Sequence, residues 1–214
     1  MCKVENCSVK AYGHGLCERH YTQIRKYGKI KITHRDVIRF EEKEECVLVY
    51  FYNRLLERVA TAIIDIDDYS KIKNYVWFLD KDGYAIAHKE KTTIKMHRVI
   101  AGALDEEHVD HKDLNILNNR KNNLRICNIS QNNYNRNATK TNGLCIKGVS
   151  YHRKREVWVA QITHKGKHYN LGDFKNPLEA AIAYNTASKK YAGLFARLND
   201  LSWVKLICVE RGLL

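Results

Sequence analysis

The chain has 214 residues, 44% hydrophobic and 29% charged, with a formal net charge of +13. That length holds one large domain or two to three small ones, and the composition excludes a disordered or fibrous chain. No run approaches the roughly 18 apolar residues of a membrane span. Residues 1–6 lack a signal-peptide core, so a location in the cytoplasm of the cell that makes it is expected, not secretion. A basic surface of this size calls for a polyanion, with nucleic acid first. A merely solvated basic surface is the alternative. Against it, the charge is uneven: residues 41–68 carry eight acids and three bases, whereas residues 146–198 carry ten bases and three acids. Seven cysteines in an intracellular chain point to metal ligands and buried thiols, not a disulfide framework.

The elements fall into three modules and a tail, an α+β chain overall: residues 1 to about 30, about 45 to 137, about 146 to 200, and 201–214. Pro177 is the only proline, so glycine and asparagine supply the punctuation, and the polar run 137–143 reads as a linker. In the first module Cys2, Cys7, Cys17 and His20 have the spacing C-x4-C-x9-C-x2-H. Two close pairs of soft ligands around a turning loop with Gly13 and Gly15 suit one tetrahedral Zn2+, a structural zinc. So short a segment cannot build an apolar core, and a metal would have to fold it. The alternative is a chance grouping of free cysteines. His14 and His34 read as surface residues, and residues 21–28 as a basic helix ended by Gly28.

In the second module, residues 60–66 form an apolar β-branched run and residues 67–72 start a helix with acids in the first turn. Trp77-Phe78, residues 83–87 and residues 92–100 read as strands leading into a helix entrance. Then come Val109-Asp110-His111-Lys112-Asp113, Asn122-Asn123-Leu124-Arg125 and Gln131-Asn132-Asn133. An acid beside a histidine, with amides 12 and 21 residues beyond that histidine, can hold a divalent ion and activate a water. This array resembles the HNH nuclease motif in its His-Asn-Asn form, found in many phage and intron-encoded homing endonucleases. The first module likewise resembles the zinc module that opens many phage HNH proteins. The resemblance implies a ββα-metal (His-Me finger) fold at about 97–137. Asp110 and Asn132 would hold Mg2+ or Mn2+, and His111 would be the general base. Asn123, before a strand at Leu124–Cys127, would orient His111 or tie the loop. Asn118, Asn119 and Asn122 read as loop-shaping residues. His97 and His108 read as structural. Arg125 has two readings, a bridge to a carboxylate or a DNA phosphate contact, and it is taken as a DNA-binding residue. The chain departs from the most familiar form of the motif in lacking histidine at the last position, which suits an oxygen-rich site better than zinc.

The third module alternates as strands over residues 148–162 and 168–174, with a turn at His164-Lys165-Gly166-Lys167. Val157, Val159 and Ile162 are expected inward, with Arg153, Arg155, Trp158 and Gln161 outward. Trp158 has an alternative reading as core. Asn176-Pro177-Leu178-Glu179 opens a helix with a cap, proline at the first turn and an acid at the third position. Its packing stripe runs through Ala180, Ala183, Tyr184, Ala187 and Tyr191, and Gly193 ends it. Over about 50 residues this resembles the APETALA-two/ethylene-response-factor (ERF) DNA-binding domain. It does so through Gly148-Val149-Ser150-Tyr151, Trp158–Ile162, Leu171–Phe174, Glu179-Ala180-Ala181, Ala183-Tyr184-Asn185 and Leu198-Asn199. The resemblance implies a three-stranded sheet in the major groove. Tyr151, Arg153, Arg155, Trp158, Gln161, Lys165 and Lys167 would then be DNA-binding positions. The tail reads as a short packed helix or strand. The partner expected is double-stranded DNA, with no membrane, no small-molecule substrate and no required oligomer. The function expected is a site-directed, homing-type endonuclease. A DNA-binding regulator with an inactive nuclease domain is the alternative, and an RNA-directed protein a weaker one for want of aromatic stacking platforms.

Overall fold

The computed structural model describes residues 1–4, 7, 9–31, 39–53, 55–90, 92–138 and 144–214. His34 and most of the expected linker lie outside this set. The fold is mixed α+β with small antiparallel sheets, as expected. Among the described residues no helix is long and apolar enough to cross a membrane. Two compact units cut across the modules read from sequence. The first comprises residues 1–103 and 115–124, the second residues 104–114 and 125–214.

The first unit begins with the cysteine-bearing loops and helix α1 (Glu18–Tyr27), which stops at Gly28 in the left-handed conformation, φ 68°. A three-stranded antiparallel sheet follows, β1 (Phe40–Glu42), β2 (Cys46–Tyr52) and β3 (Arg58–Asp65). A 3-10 turn (Ile66–Asp68) leads into α2 (Tyr69–Ile72), where the acidic helix start was expected. Sheet β4 (Phe78–Leu79), β5 (Ala85–Lys89) and β6 (Thr92–Lys95) then runs into α3 (Met96–Ala101). Val47, Val49, Phe51, Ala62, Ile64, Ile72, Trp77, Ala87 and Met96 are buried here. Burying such side chains stabilises the fold by about 1.5–3 kcal/mol each for the larger ones. The buried indole of Trp77 donates to the Ile72 carbonyl at 2.9 Å.

The asparagine-rich segment 115–124 is stitched to β3. Ile63 donates to the Leu117 carbonyl at 2.9 Å, and Asn119 donates back to the Ile63 carbonyl at 2.8 Å. Lys121 N–H donates to the Asp65 carboxylate at 2.8 Å. Asn119, 1% exposed, packs its amide on the Met96 sulfur. The backbone bonds pair groups of β3 and the segment with each other, as main-chain donors and acceptors require.

In the second unit β7 (His108–His111) and β8 (Leu124–Cys127, of which Leu124 belongs to the first unit) form a two-stranded sheet, followed by α4 (Ile129–Asn135). Next comes sheet β9 (Val149–His152), β10 (Val157–His164) and β11 (Lys167–Phe174), with β10 central. Helix α5 (Pro177–Ala192) covers it, and α6 (Leu201–Glu210) ends the unit. Asn176 caps α5 by accepting from Glu179 N–H at 2.9 Å. Its buried stripe is wider than expected. Ala180, Tyr184 and Ala187 are joined by Ala181, Asn185, Ser188 and Ala192, while Ala183 and Tyr191 are half-buried. The extra width arises because α6 also packs there: Val204 and Cys208, four residues apart, are fully buried. The tail is therefore a helix.

The facing of β10 agrees with expectation at Ile162 and Gln161 and departs from it at Val157, Trp158 and Val159. Trp158, Ala160 and Ile162 are buried, whereas Val157 and Val159 are half-buried and Gln161 and Thr163 exposed. Trp158 lies in the core with Val149, Ala160, Ala180 and Ala181. Strand faces alternate strictly, and the large indole outweighs two valines in deciding which face is covered.

Candidate functional site

The four zinc-type ligands converge. Cys2, Cys7, Cys17 and His20 are all buried, and their ligand atoms lie within 4.8 Å of one another. Cys17 is the N-cap of α1 and His20 sits in its first turn. Cys2 Sγ is 3.2 Å and Cys17 Sγ 3.4 Å from His20 Nδ1. Cys17 N–H donates to Cys2 Sγ at 3.3 Å. Gly15, with φ +76°, makes the turn. A Cβ there would come within 2.4 Å of the Lys3 side chain. Burial pushes the Cys2 thiol up, but hydrogen bonds with His20 and from the Cys17 backbone outweigh it and bring the pKa down to about 6. Cys7 is raised, chiefly by burial. Thiolate and imidazole donors at this spacing could hold zinc.

The second centre is built where β7 meets α4. Asp110 and His111 end β7, each 4% exposed. Their side chains point to opposite sides of the strand. Helix α4 is fixed at its start by a capping box. Asn128 accepts from Gln131 N–H, and Gln131 accepts from Asn128 N–H, both at 2.9 Å. Asn132 is half-buried in this helix. Asn135, one turn on and 4% exposed, donates to Asp110 Oδ1 at 2.9 Å and to the His111 carbonyl at 2.8 Å.

Arg125, from β8, takes the other carboxylate oxygen. Its Nε lies 2.8 Å and its Nη2 2.7 Å from Asp110 Oδ2. Its Nη1 donates to the Leu194 carbonyl at 2.5 Å, and the guanidinium lies 4.1 Å from the centre of the Phe195 ring. Of the two readings of Arg125, the carboxylate bridge is the contact present. Nearby Cys127 is held neutral, its pKa raised to about 11 by burial and then by the Asp110 charge. Asn123 lies in the first unit, buried, and donates to the Asn118 carbonyl at 2.8 Å.

The DNA-type positions of the basic unit separate. Arg153, Arg155, Gln161, Lys165 and Lys167 are exposed. Arg155 is ion-paired with Asp173. Tyr151 is exposed as well, and it pairs in register with the buried Trp158, their ring centres 4.9 Å apart. A cleft of about 460 Å³ lies between α4 and the β10–β11 turn, and its lining includes Ser130, Asn133, Lys147, Gln161, Lys165 and His168. No acidic side chain is among its described lining residues. Gly148 lines it too. A Cβ there would sit 1.9 Å from the Tyr184 ring. The Lys147 ammonium donates to the Tyr134 and Arg136 carbonyls at 2.5 and 2.6 Å. Burial, then the positive charge of Arg197, lower its pKa to about 8.

Lys147 and Asn135 are the residues that sequence reading missed. Asn135 carried a signal: it stands three residues after Asn132, hence on the same helical face. Asn132, Asn133, Asn135 and Asn137 follow so closely that the sequence does not say which one reaches the acid.

Over 162 residues, 73% of its length, the chain is 26% identical to an uncharacterized HNH endonuclease of Acanthamoeba polyphaga mimivirus, covering 83% of that protein. Over 90 residues, 42% of its length, it is 32% identical to Protein 3.8 of Escherichia phage T7, covering 74% of that protein. No family model matches the chain. No solved structure matches it.

Proposed function

We infer that this chain, which belongs to the family of Protein 3.8 of Escherichia phage T7 and has a distant homologue named as an HNH endonuclease, is a metal-dependent DNA endonuclease. The observation that carries the reading is the buried Asp110–His111 pair at the end of a strand, tied directly to the following helix through Asn135. His111 is the general base that takes a proton from the attacking water. Asp110 and Asn132 hold Mg2+ or Mn2+. The donor set fits such an ion, since carboxylate and amide oxygens are the hard ligands it prefers. A carboxylate offers about four lone pairs. Two N–H donors of Arg125 and one of Asn135 use three, leaving one on Oδ1. When bound, the ion neutralises charge on the phosphate. Arg125 keeps the buried carboxylate compensated, and Asn123 ties the loop.

Recognition belongs to the basic module. Its sequence resemblance to the APETALA-two/ERF domain supports this reading. Arg153, Arg155, Gln161, Lys165 and Lys167, with Lys147 in the cleft, face the DNA as phosphate or base contacts. Trp158 supports the sheet from its packed side, and the exposed Tyr151 lies against its ring. The Cys3His cluster holds a structural zinc. A homing-type, site-directed role follows from joining a cutting site to a binding module of this kind.

A regulator that binds DNA without cutting is the second reading, and the engagement of Asp110 by Arg125 favours it. A plasmid-nicking assay with and without magnesium decides. Metal-dependent conversion of supercoiled to nicked or linear DNA supports the nuclease. Binding with no conversion supports the regulator.

A further inference from the structure

We propose that Asn135 is the positioning residue of the nuclease site, a helix-borne amide that sets the orientations of Asp110 and His111 together. This rests on the endonuclease reading. The amide of Asn135 has two N–H donors. Both are committed, one to the Asp110 side chain at 2.9 Å and one to the backbone of His111 at 2.8 Å. The two acceptors belong to consecutive strand residues whose side chains leave on opposite faces. A single group that grips one side chain and the neighbouring carbonyl therefore fixes the twist of the strand end, and with it the direction in which the His111 side chain leaves the strand. All three residues are buried, at 4% exposure each, so water does not compete for these bonds. The anchor is rigid, because the Asn128–Gln131 capping box sets the start of α4. The Tyr134 carbonyl at its end accepts from Lys147 Nζ at 2.5 Å. Arg125 holds the opposite oxygen of Asp110. The carboxylate is thus clamped from two sides, and the remaining lone pair on Oδ1 points in one direction.

Groups of this kind, which orient a metal ligand without touching the metal, typically change affinity or activity 10–100-fold. The test uses the full chain with Asn135→Leu, which keeps the shape and removes both donors, and Asn135→Ser, which keeps one. Three quantities are read: Mn2+ binding by electron paramagnetic resonance of the free ion, the imidazole signals of His111 by NMR, and single-turnover cleavage at saturating DNA. The expected result is a 10–100-fold loss of Mn2+ affinity and of cleavage in Asn135→Leu, a smaller loss in Asn135→Ser, shifted His111 signals, and unchanged DNA affinity. A lower melting temperature with unchanged Mn2+ affinity and unmoved His111 signals would show a merely structural residue and overturn the proposal. If the unsubstituted chain neither binds Mn2+ nor cuts, the nuclease reading fails by itself. The His111 signals still decide: they shift in Asn135→Leu if the clamp orients the ring and stay in place if it does not.

Discussion

The Cys3His cluster and the Asp110 centre are both buried and polar, yet they are balanced in opposite ways. In the cluster four ligand atoms face one another within 4.8 Å, and what would neutralise its thiolates is a cation from outside. At Asp110 the neutralising cation is already part of the chain, because Arg125 sits on the carboxylate. On the proposed reading, the difference separates a metal that would fold a module from one that would serve chemistry on a module already folded.

The largest effect is therefore expected at the N-terminus. Cys17→Ala removes a ligand at the residue that opens α1. Metal analysis should fall from about one zinc per chain to none, with loss of the α1 amide signals. The second unit should keep its signals. Zinc content unchanged in this variant would erase the contrast.

Next in size is the internal balance at Asp110. Arg125→Met leaves a buried carboxylate without its partner and should cost about 3–5 kcal/mol in a urea melt. Adding Asp110→Leu should restore most of that loss, because the pair is coupled. Additive losses would mean that the ion pair is incidental.

A smaller effect is expected for the basic cleft. Lys147→Gln should lower the slope of log affinity against log salt by about 0.9 for a duplex, one phosphate contact's worth. An unchanged slope would take Lys147 off the DNA path.

Smallest is a pH effect on stability from the same lysine. Burial brings its folded pKa to about 8, below the roughly 10.4 of a free lysine. Between these values the unfolded chain binds more protons, so stability rises as pH rises through that window and is lost as pH falls toward 8. Thermal melts at pH 8 and pH 10 should show this rise for the unsubstituted chain, and less of it for Lys147→Gln.

What was legible in the sequence was local. The C-x4-C-x9-C-x2-H spacing brings its ligands together within 20 residues. The start of α5 at Asn176-Pro177, its end at Gly193 and the strand at Leu124–Cys127 all depend on near neighbours. What was hidden depended on distant partners. The strand β2 follows the acid-rich run 41–45, and its pairing with β3 gives it away only in space. The facing of β10 turned on what α5 and α6 cover. Arg125 could meet a phosphate or a carboxylate until pairing of β7 with β8 set it beside Asp110. Among so many asparagines, only the placement of α4 over β7 singles out Asn135.

The central claim, that a metal-served nuclease site lies at the Asp110–His111 pair, is tested most directly by His111→Ala. Single-turnover cleavage of a duplex is followed in magnesium at matched DNA occupancy. Removing a general base typically costs about 10²–10⁴-fold. A loss of that size, with DNA affinity and zinc content unchanged, is the predicted result. Cleavage at the rate of the unsubstituted chain would contradict the assignment of His111 and move the chemistry elsewhere in the chain.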